Sequence, residues 1–286
     1  FFALIIVGLA GFWFLTAPQP VIARADTSLE TGGDAQRGET VFLAGGCASC
    51  HATSGQENTL LLGGGHAFPS PFGTFYAPNI SPDPENGIGK WTTADLVNAL
   101  KAGGSPKGSH YYPAFPYTTY AKMTNTDARD LMSYLKTLPP VAIASRPHDL
   151  PFPFNIRRGL GLWKRLYLDR APIAADPAKS PGWNRGQYLV EALGHCAECH
   201  SPRNFIGGIV ASQRFAGGPN PDGKGWVPNM TQSKKGIGEW STSDIALMLE
   251  SGLTASMDSV GSSMADVIKN TSKLSKEDRA AMAEYI

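Results

Sequence analysis

Two copies of the motif C-x-x-C-H constrain this chain more than any other feature of its 286 residues. The first runs from Cys47 to His51 and the second from Cys196 to His200, and the two motifs contain all four cysteines of the chain. Paired cysteines occur in zinc sites, in redox dithiols and in covalent haem attachment. Because these three chemistries need different surroundings, the sequence around the motifs decides among them.

Both motifs lie inside a longer internal repeat. RGETVFLAGGCASCH is followed by APNISPDPENGIGKWTTADL, and RGQYLVEALGHCAECH is followed by VPNMTQSKKGIGEWSTSDI. Cys47 precedes Asn79 by 32 residues, and Cys196 precedes Asn229 by 33. Such parallel spacing indicates two homologous modules in tandem.

The two predicted modules span residues 31–139 and 182–286, and each closes with a helical pattern. Thr124 and Ser275 are the expected N-caps of these last helices. No alternation typical of strands is evident, so we predict an all-α fold of two small, loop-rich modules.

A Pro-rich linker is predicted over residues 140–181. Its basic and apolar middle, RRGLGLWKRLYL, could contact a membrane surface or a partner subunit. We favour the alternative, in which the linker packs on both modules through Trp163 and Leu166.

The N-terminal run FFALIIVGLAGFWFL carries no charge. As a helix it would span roughly 23 Å, slightly short of the ~30 Å hydrocarbon core of a bilayer. A secretory signal peptide is the alternative, with VIARA at residues 21–25 as a weak cleavage site. We expect a transmembrane helix over residues 1–18 that anchors the protein to the inner membrane, with the rest of the chain on the periplasmic side.

The surroundings of the two motifs favour haem over the other two chemistries. A zinc site made of two cysteine pairs normally joins them across roughly 15–20 residues, whereas these pairs lie in separate modules. A thioredoxin-like dithiol needs a βαβ context, which the sequence does not predict. We therefore expect two covalently bound haem c groups, each attached through two thiols and ligated by the adjacent histidine: Cys47, Cys50 and His51 in the first module, and Cys196, Cys199 and His200 in the second.

The sixth iron ligand of the second module is expected in the loop before its last helix. A methionine thioether in this place suits electron transfer. Met264 is favoured there, and Met257 is its rival.

The corresponding loop of the first module contains one methionine, Met123, which we expect to be the ligand. Counting back from the last helices aligns Met123 with Leu274, and places Tyr112–Pro113 near Met264. His110 is the alternative ligand and would give a bis-histidine haem.

Other residues at equivalent positions of the repeat are expected around the cofactors. The indole N–H groups of Trp91 and Trp240 could bind haem propionates, or the rings could serve core packing alone. Asn79 and Asn229 could hold the loop at the haem edge, or stabilise a turn. His195, beside the second motif, is expected to be a surface or packing histidine.

Longer segments of the chain resemble a known family. GDAQRGETVFLAGGCASCHA, PFGTFYAPNISPDPENGIGKWTTADL, YYPAFPYTTYAKM and LPFPFNIRRGLGLWK are similar to segments of the membrane-anchored dihaem and trihaem c-type cytochromes of proteobacteria. These resemble the cytochrome subunits of alcohol, gluconate and fructose dehydrogenases. The resemblance covers nearly everything after residue 30, and it implies a periplasmic subunit that collects electrons from a catalytic partner. The chain departs from trihaem members in having two motifs, and it has Phe115 within YPAFPY.

Electron transfer is the function that these features predict. The donor would be a dehydrogenase or a respiratory or photosynthetic complex, and a further redox protein would be the acceptor. A dihaem enzyme such as a peroxidase is the alternative, but no acid–base constellation clusters or repeats, so no catalytic residue is predicted. The formal net charge of +1 gives no argument for a nucleic-acid partner.

Overall fold

The computed structural model describes residues 2–221 and 225–286. Helix α1 (Phe2–Leu15) comes first. The first module then contains α2 (Ala35–Ala44), α3 (Cys47–His51), the hairpin β1 (Ala67–Ser70) and β2 (Gly73–Tyr76), α4 (Thr93–Ala102), α5 (Tyr117–Tyr120) and α6 (Asn125–Leu135).

The linker contains a 3₁₀ turn (Arg157–Gly159) and α7 (Leu160–Tyr167). The second module contains α8 (Pro181–Tyr188), a π-helical turn (Leu189–Leu193), α9 (Cys196–His200), a 3₁₀ turn (Ala211–Gln213), the hairpin β3 (Gly218–Pro219) and β4 (Trp226–Val227), α10 (Thr242–Ser251), α11 (Ser263–Thr271) and α12 (Lys276–Tyr285).

Helices carry the fold, which is consistent with the predicted all-α class. The sequence did not indicate the two hairpins, because antiparallel pairing in them is too short to produce an alternating pattern. The elements do not test the module boundaries at 31–139, 140–181 and 182–286, which stay predictions.

The expected N-terminal transmembrane helix is wrong. Helix α1 has 14 residues, and no helix in the described ranges is long and apolar enough to cross a bilayer. The helix ends where Pro18 follows and where Arg165 and His110 bind the carbonyls of Leu15 and of the next residue, Thr16. Arg165 donates to Leu15 O at 3.0 Å, and His110 Nε2 lies 2.8 Å from Thr16 O.

The predicted helix caps are confirmed. Thr124 Oγ1 accepts the Asp127 N–H at 3.0 Å, and Ser275 Oγ accepts the Asp278 N–H at 3.0 Å. These bonds satisfy donors that the first helical turn leaves without a partner. Complete capping boxes also begin α4 and α10.

Each module is built on a close crossing of its first and last long helices. A Cβ atom on Gly38 of α2 would lie 2.0 Å from Asp130 O of α6, and one on Gly186 of α8 would lie 1.8 Å from Ala281 O of α12. Both distances are far below van der Waals contact, so glycine is required at each crossing. The repeated dipeptide Arg-Gly in the sequence marks these two positions.

The linker packs on both modules. Lys164 Nζ donates to Ala102 O at 2.7 Å and to Gly103 O at 2.6 Å, and thereby caps the C-terminus of α4 in the first module. Trp163 Nε1 donates to Ile206 O of the second module at 2.9 Å. Leu166, which we also expected to pack, is 68% exposed.

Candidate functional site

The two histidines of the C-x-x-C-H motifs are held in the same way. His51 Nδ1 lies 2.8 Å from Pro78 O, and His200 Nδ1 lies 2.8 Å from Pro228 O. A carbonyl accepts only from a protonated ring nitrogen, so each Nδ1 carries the hydrogen and each Nε2 has a free lone pair. Burial lowers the pKa of both imidazoles, which favours the neutral form that a metal ligand requires.

A glycine supports each of these histidines from the main chain. Gly64 N donates to His51 O at 2.9 Å, and Gly217 N donates to His200 O at 2.8 Å. Both glycines have positive φ, +71° and +76°. An added Cβ would lie 2.5 Å from Ala77 O in the first case and 2.6 Å from Val227 O in the second, so these turns exclude any side chain.

The cysteines sit in an environment unsuited to a redox dithiol. Burial raises the pKa of the Cys47 thiol and of the Cys196 thiol, each to about 12. Catalytic dithiols have a lowered thiol pKa, because the thiolate is the reactive form. The raised pKa therefore argues against a redox dithiol at either motif.

A zinc site is not assembled by the fold. In the part of the chain that the structure describes, no three His, Cys, Asp or Glu side chains form a group that could hold a metal ion. Two cysteines and a histidine with a free Nε2, repeated in each module, fit a covalently bound haem whose iron is ligated by that nitrogen. Haem supplies a one-electron redox centre when bound.

The two motifs meet each other across the module boundary. Ser49 lies between the cysteines of the first motif, and its Oγ accepts a hydrogen bond from Asn270 Nδ2 of α11 at 2.9 Å. The Ser49 hydroxyl also donates to Asp266 O at 3.3 Å. The first cysteine motif is thus hydrogen-bonded to α11 of the second module.

The reciprocal contact is formed by Glu198, which occupies the position of Ser49 in the second motif. Thr118 Oγ1 of α5 donates to Glu198 Oε1 at 2.7 Å, and Thr119 Oγ1 donates to the same atom at 3.3 Å. Arg203 completes the arrangement by an ion pair with Glu198 Oε2 at 2.5 Å. Each cysteine motif is therefore held by the module that does not contain it.

His195 and Tyr120 fill the space between the motifs. Their rings pack edge to face, with centroids 5.9 Å apart. Tyr120 Oη donates to Gly45 O at 2.9 Å, and the His195 ring also hydrogen-bonds to the main chain of Gly45. His195 adopts the left-handed backbone conformation, with φ at 35°, in the place where the first motif has Gly46. The ring contact with Tyr120 and the hydrogen bond to Gly45 are consistent with a packing role for His195.

Met264 and Met257 lie in different surroundings. Met264 is half-buried in the first turn of α11, while Met257 is 66% exposed in a turn with positive φ. Burial favours Met264, because a ligating sulfur must be shielded with the iron. Its role as sixth ligand stays a prediction.

The two candidates of the first module lie in different surroundings. Met123 is 1% exposed within the main hydrophobic cluster, beside core residues such as Leu131. His110 has both ring nitrogens engaged, Nε2 with Thr16 O at 2.8 Å and Nδ1 with Lys164 Nζ at 3.0 Å. The assignment of Met123 as the sixth ligand stays a prediction, and so does the alternative of His110.

The asparagines and tryptophans have matching surroundings in the two modules. Asn79 Oδ1 accepts the Ser81 N–H at 2.9 Å, and Asn229 Oδ1 accepts the Thr231 N–H at 2.8 Å. Asn79 Nδ2 also donates to two carbonyls of the linker at 2.7 and 2.8 Å. Trp91 and Trp240 are half-buried, and both pack against the hydrophobic cluster. Direct cofactor contacts of these four residues stay predictions.

Several residues that build the site were missed by sequence reasoning. They are the residues whose carbonyls accept from the histidines, the glycines that donate to the histidine carbonyls, and the residues that form contacts across the module boundary: Pro78, Pro228, Gly64, Gly217, Ser49 and Glu198. The repeated Pro-Asn dipeptide was visible in the sequence. The partners of Ser49 and Glu198 were not, because they lie in the opposite module.

Comparison with known proteins agrees with the interpretation of the two motifs as haem-attachment sites. Residues 35–139 match the family described as Cytochrome c. The chain is 51% identical over 286 residues to a protein of Cereibacter sphaeroides named "Diheme cytochrome c-type", and the match covers 99% of this chain and 94% of that protein.

Two further relatives are longer than this chain. The chain is 38% identical to the "Fructose dehydrogenase cytochrome subunit" of Gluconobacter japonicus, a match that covers 87% of the chain and 51% of the relative. It is 36% identical to the "Alcohol dehydrogenase (quinone), cytochrome c subunit" of Gluconobacter oxydans, with 88% and 54% covered. The chain thus spans about half the length of these two proteins.

Proposed function

The chain belongs to the diheme c-type cytochromes, which bind two haem c groups covalently and transfer electrons, and from that premise we propose that it relays electrons from one haem to the other between a donor and an acceptor protein. In this proposal each cysteine pair attaches one haem, and His51 and His200 are the proximal ligands. Met264 is the sixth ligand of the second haem.

The reciprocal contact between the two cysteine motifs carries this proposal. The Ser49–Asn270 and Thr118–Glu198 hydrogen bonds tie each motif to the opposite module. His195, which precedes Cys196, hydrogen-bonds to the main chain of Gly45, two residues before Cys47, so the two attachment motifs lie close together. Electron transfer between cofactors falls steeply with distance, so a fixed, close placement of the two attachment edges supports transfer within one molecule. Two independent carriers on a flexible tether would need no such contact.

We further propose that the donor is a dehydrogenase. The relatives in Gluconobacter carry names of dehydrogenase cytochrome subunits. Cytochromes c are generally extracytoplasmic, and we assign this chain to the periplasm. Purification of the chain from its native cells under mild conditions, followed by mass spectrometry, would then yield a co-purifying dehydrogenase subunit.

Pulse radiolysis of the purified holoprotein tests the relay itself. A short pulse that reduces less than one haem per molecule should first reduce one haem. A second phase, with a rate independent of protein concentration, should then move the electron to the other haem. A second phase whose rate scales with protein concentration would show transfer between molecules and would contradict the proposal.

A further inference from the structure

We propose that Glu191 lowers the reduction potential of the haem in the second module and thereby shifts the equilibrium of a shared electron toward the haem of the first module. The inference deepens the proposed relay and rests on the proposed attachment of one haem at each C-x-x-C-H motif. The step concerned moves one electron: the haem of the second module goes from ferrous to ferric, and the haem of the first goes from ferric to ferrous.

A one-residue insertion distinguishes the second module just before its cysteine motif. Gly38 and Gly186 are equivalent, because each lies at the close helix crossing of its module. Cys47 follows Gly38 by nine residues, whereas Cys196 follows Gly186 by ten. The helix that enters the second motif therefore has to accommodate one extra residue.

The π-helical turn over Leu189–Leu193 accommodates this residue. Gly194 N donates to Leu189 O, five residues back, at 2.6 Å. In the first module, Gly45 N donates to Val41 O, four residues back, at 2.9 Å. Single π-turns inside helices are frequent at functional sites, and this one contains Glu191.

Glu191 carries a buried carboxylate. The residue is 8% exposed. Tyr285 Oη donates to Glu191 Oε1 at 2.8 Å, and Arg214 Nε donates to the same oxygen at 3.3 Å. A second guanidinium nitrogen of Arg214 pairs with Oε2. These donors replace the hydration that the carboxylate loses on burial.

The first module has apolar side chains where the second has Glu191. A Cβ atom on the crossing glycine would lie 2.8 Å from Tyr134 Cβ in the first module and 2.9 Å from Tyr285 Cβ in the second, so the two tyrosines are equivalent. Tyr134 packs on Phe42, with ring centroids 5.2 Å apart, whereas Tyr285 binds Glu191. Counting back from the cysteines places Phe42 opposite Glu191, and counting forward from the crossing places Leu43 there.

Arg214 also has an apolar counterpart. Ile80 N donates to Leu62 O at 3.0 Å, and Met230 N donates to Phe215 O at 2.9 Å. Both donors directly follow the asparagine of a Pro-Asn dipeptide, so Leu62 and Phe215 are equivalent. The residue before Leu62 is another leucine, while the residue before Phe215 is Arg214. The ion pair thus distinguishes the second module from the first.

The carboxylate dominates the electrostatics of this ion pair at the cysteine motif. Burial raises the pKa of the Cys196 thiol to about 12, the charge of Glu191 raises it further, and Arg214 opposes this to a smaller degree. The exposed fractions agree, since the Glu191 side chain is 10% exposed and that of Arg214 is 35%. Water screens the more exposed charge more strongly. At Cys47, burial and the neighbouring Cys50 raise the thiol pKa instead.

A negative charge beside the second motif favours the ferric haem. The ferric form carries one positive charge more than the ferrous form, so a nearby carboxylate stabilises it and lowers the reduction potential. The interaction is stronger in the protein interior than in water, because the effective dielectric constant is lower there. Glu191 is therefore a positioning residue for charge, and it biases the electron toward the first module.

A redox titration of the purified full-length holoprotein, followed by visible spectroscopy, tests this inference. Glu191→Gln should raise the midpoint potential of one haem and leave the other unchanged. The share of a single electron that resides on the second haem should rise several-fold. Glu191→Asp retains the charge and should stay closer to the wild type. Glu277→Gln is the matched control, because it removes the same charge from an exposed position in α12 and should move neither midpoint.

Variants that hold a single haem identify which midpoint moves. In the Cys47→Ser, Cys50→Ser background, which retains the second motif, Glu191→Gln should still raise the midpoint. In the Cys196→Ser, Cys199→Ser background it should have no effect. If a single-haem variant does not fold, the comparison in the two-haem protein still decides the matter, because two unmoved midpoints there overturn the inference.

Two further results would overturn it. One is a shift in Glu191→Asp as large as that in Glu191→Gln, since this would assign the effect to altered packing. The other is a shift confined to the haem of the first module. A haem content below two per chain would contradict the proposed function instead, and the pyridine haemochrome assay measures this content before any titration.

Discussion

Thr118 and Glu198 are joined by a hydrogen bond of 2.7 Å, although 80 residues separate them in the chain. Glu198 stands between Cys196 and Cys199 of the second motif, and Thr118 is the second residue of α5 in the first module. The contact makes the environment of one haem site depend on the folding of the other module. We therefore expect the two modules to depend on each other for stability.

Thr118→Val should destabilise this junction. A hydrogen bond to a charged group contributes about 1.5–3 kcal/mol, and we expect the free energy of unfolding to fall by about this amount. Guanidinium titration followed by circular dichroism measures it. Thr242→Val is the control, because Thr242 is exposed at the start of α10. Equal stability of the two variants would contradict the importance of the contact.

Each cysteine pair should attach one haem. Replacing Cys47 and Cys50 together by serine should halve the haem content per chain, and replacing Cys196 and Cys199 should do the same. The covalent bond needs the thiol sulfur, and serine cannot supply it. Mass spectrometry of the denatured chain would show one haem adduct in either variant, and two retained adducts would rule out the assignment.

Alanine at either helix crossing should destabilise the protein. A Cβ on Gly38 or Gly186 would approach a carbonyl oxygen to 2.0 or 1.8 Å, so the helices must move apart. Overpacking of this kind costs about 1–3 kcal/mol, which thermal or denaturant unfolding detects. Gly159→Ala is the matched control, because a Cβ there would meet nothing within 4 Å. Crossing variants as stable as Gly159→Ala would show that the crossings tolerate a methyl group.

His148 should make stability depend on acid pH. Burial, with Arg157 nearby, lowers the pKa of His148 from 6.5 to about 4. Its Nδ1 accepts the Tyr76 N–H at 3.1 Å, a bond that protonation of this nitrogen removes. Between pH 4 and 6.5 the unfolded chain binds more protons, so the free energy of unfolding should rise with pH across this window.

Replacement of His148 by glutamine checks the origin of this dependence. Glutamine can accept the same hydrogen bond and does not titrate, so the rise in unfolding free energy between pH 4 and 6.5 should become shallower. At pH 7.5 both proteins are neutral at this position, which provides the common reference. Identical slopes would assign the pH dependence to other groups.

Short-range patterns determined much of this protein from sequence alone. The two C-x-x-C-H motifs, their repeat and the N-caps Thr124 and Ser275 could be read directly, because haem attachment and helix capping each depend on residues close together in the chain. The N-terminal run shows the limit of this approach. Its apolar composition predicted a spanning helix, whereas the helix that forms has 14 residues.

Tertiary structure decided which residues far apart in the chain contact each other. The sequence indicates no role for Ser49 and Glu198 beyond their positions between the cysteines. Their hydrogen-bond partners lie in the opposite module, so only the tertiary structure shows them. The equivalence of Tyr111 and Val260 emerged only from their bonds to Gly103 and Gly252. A length difference in the following loop hides this register from counting along the sequence, but it leaves the geometry of the preceding turn unchanged.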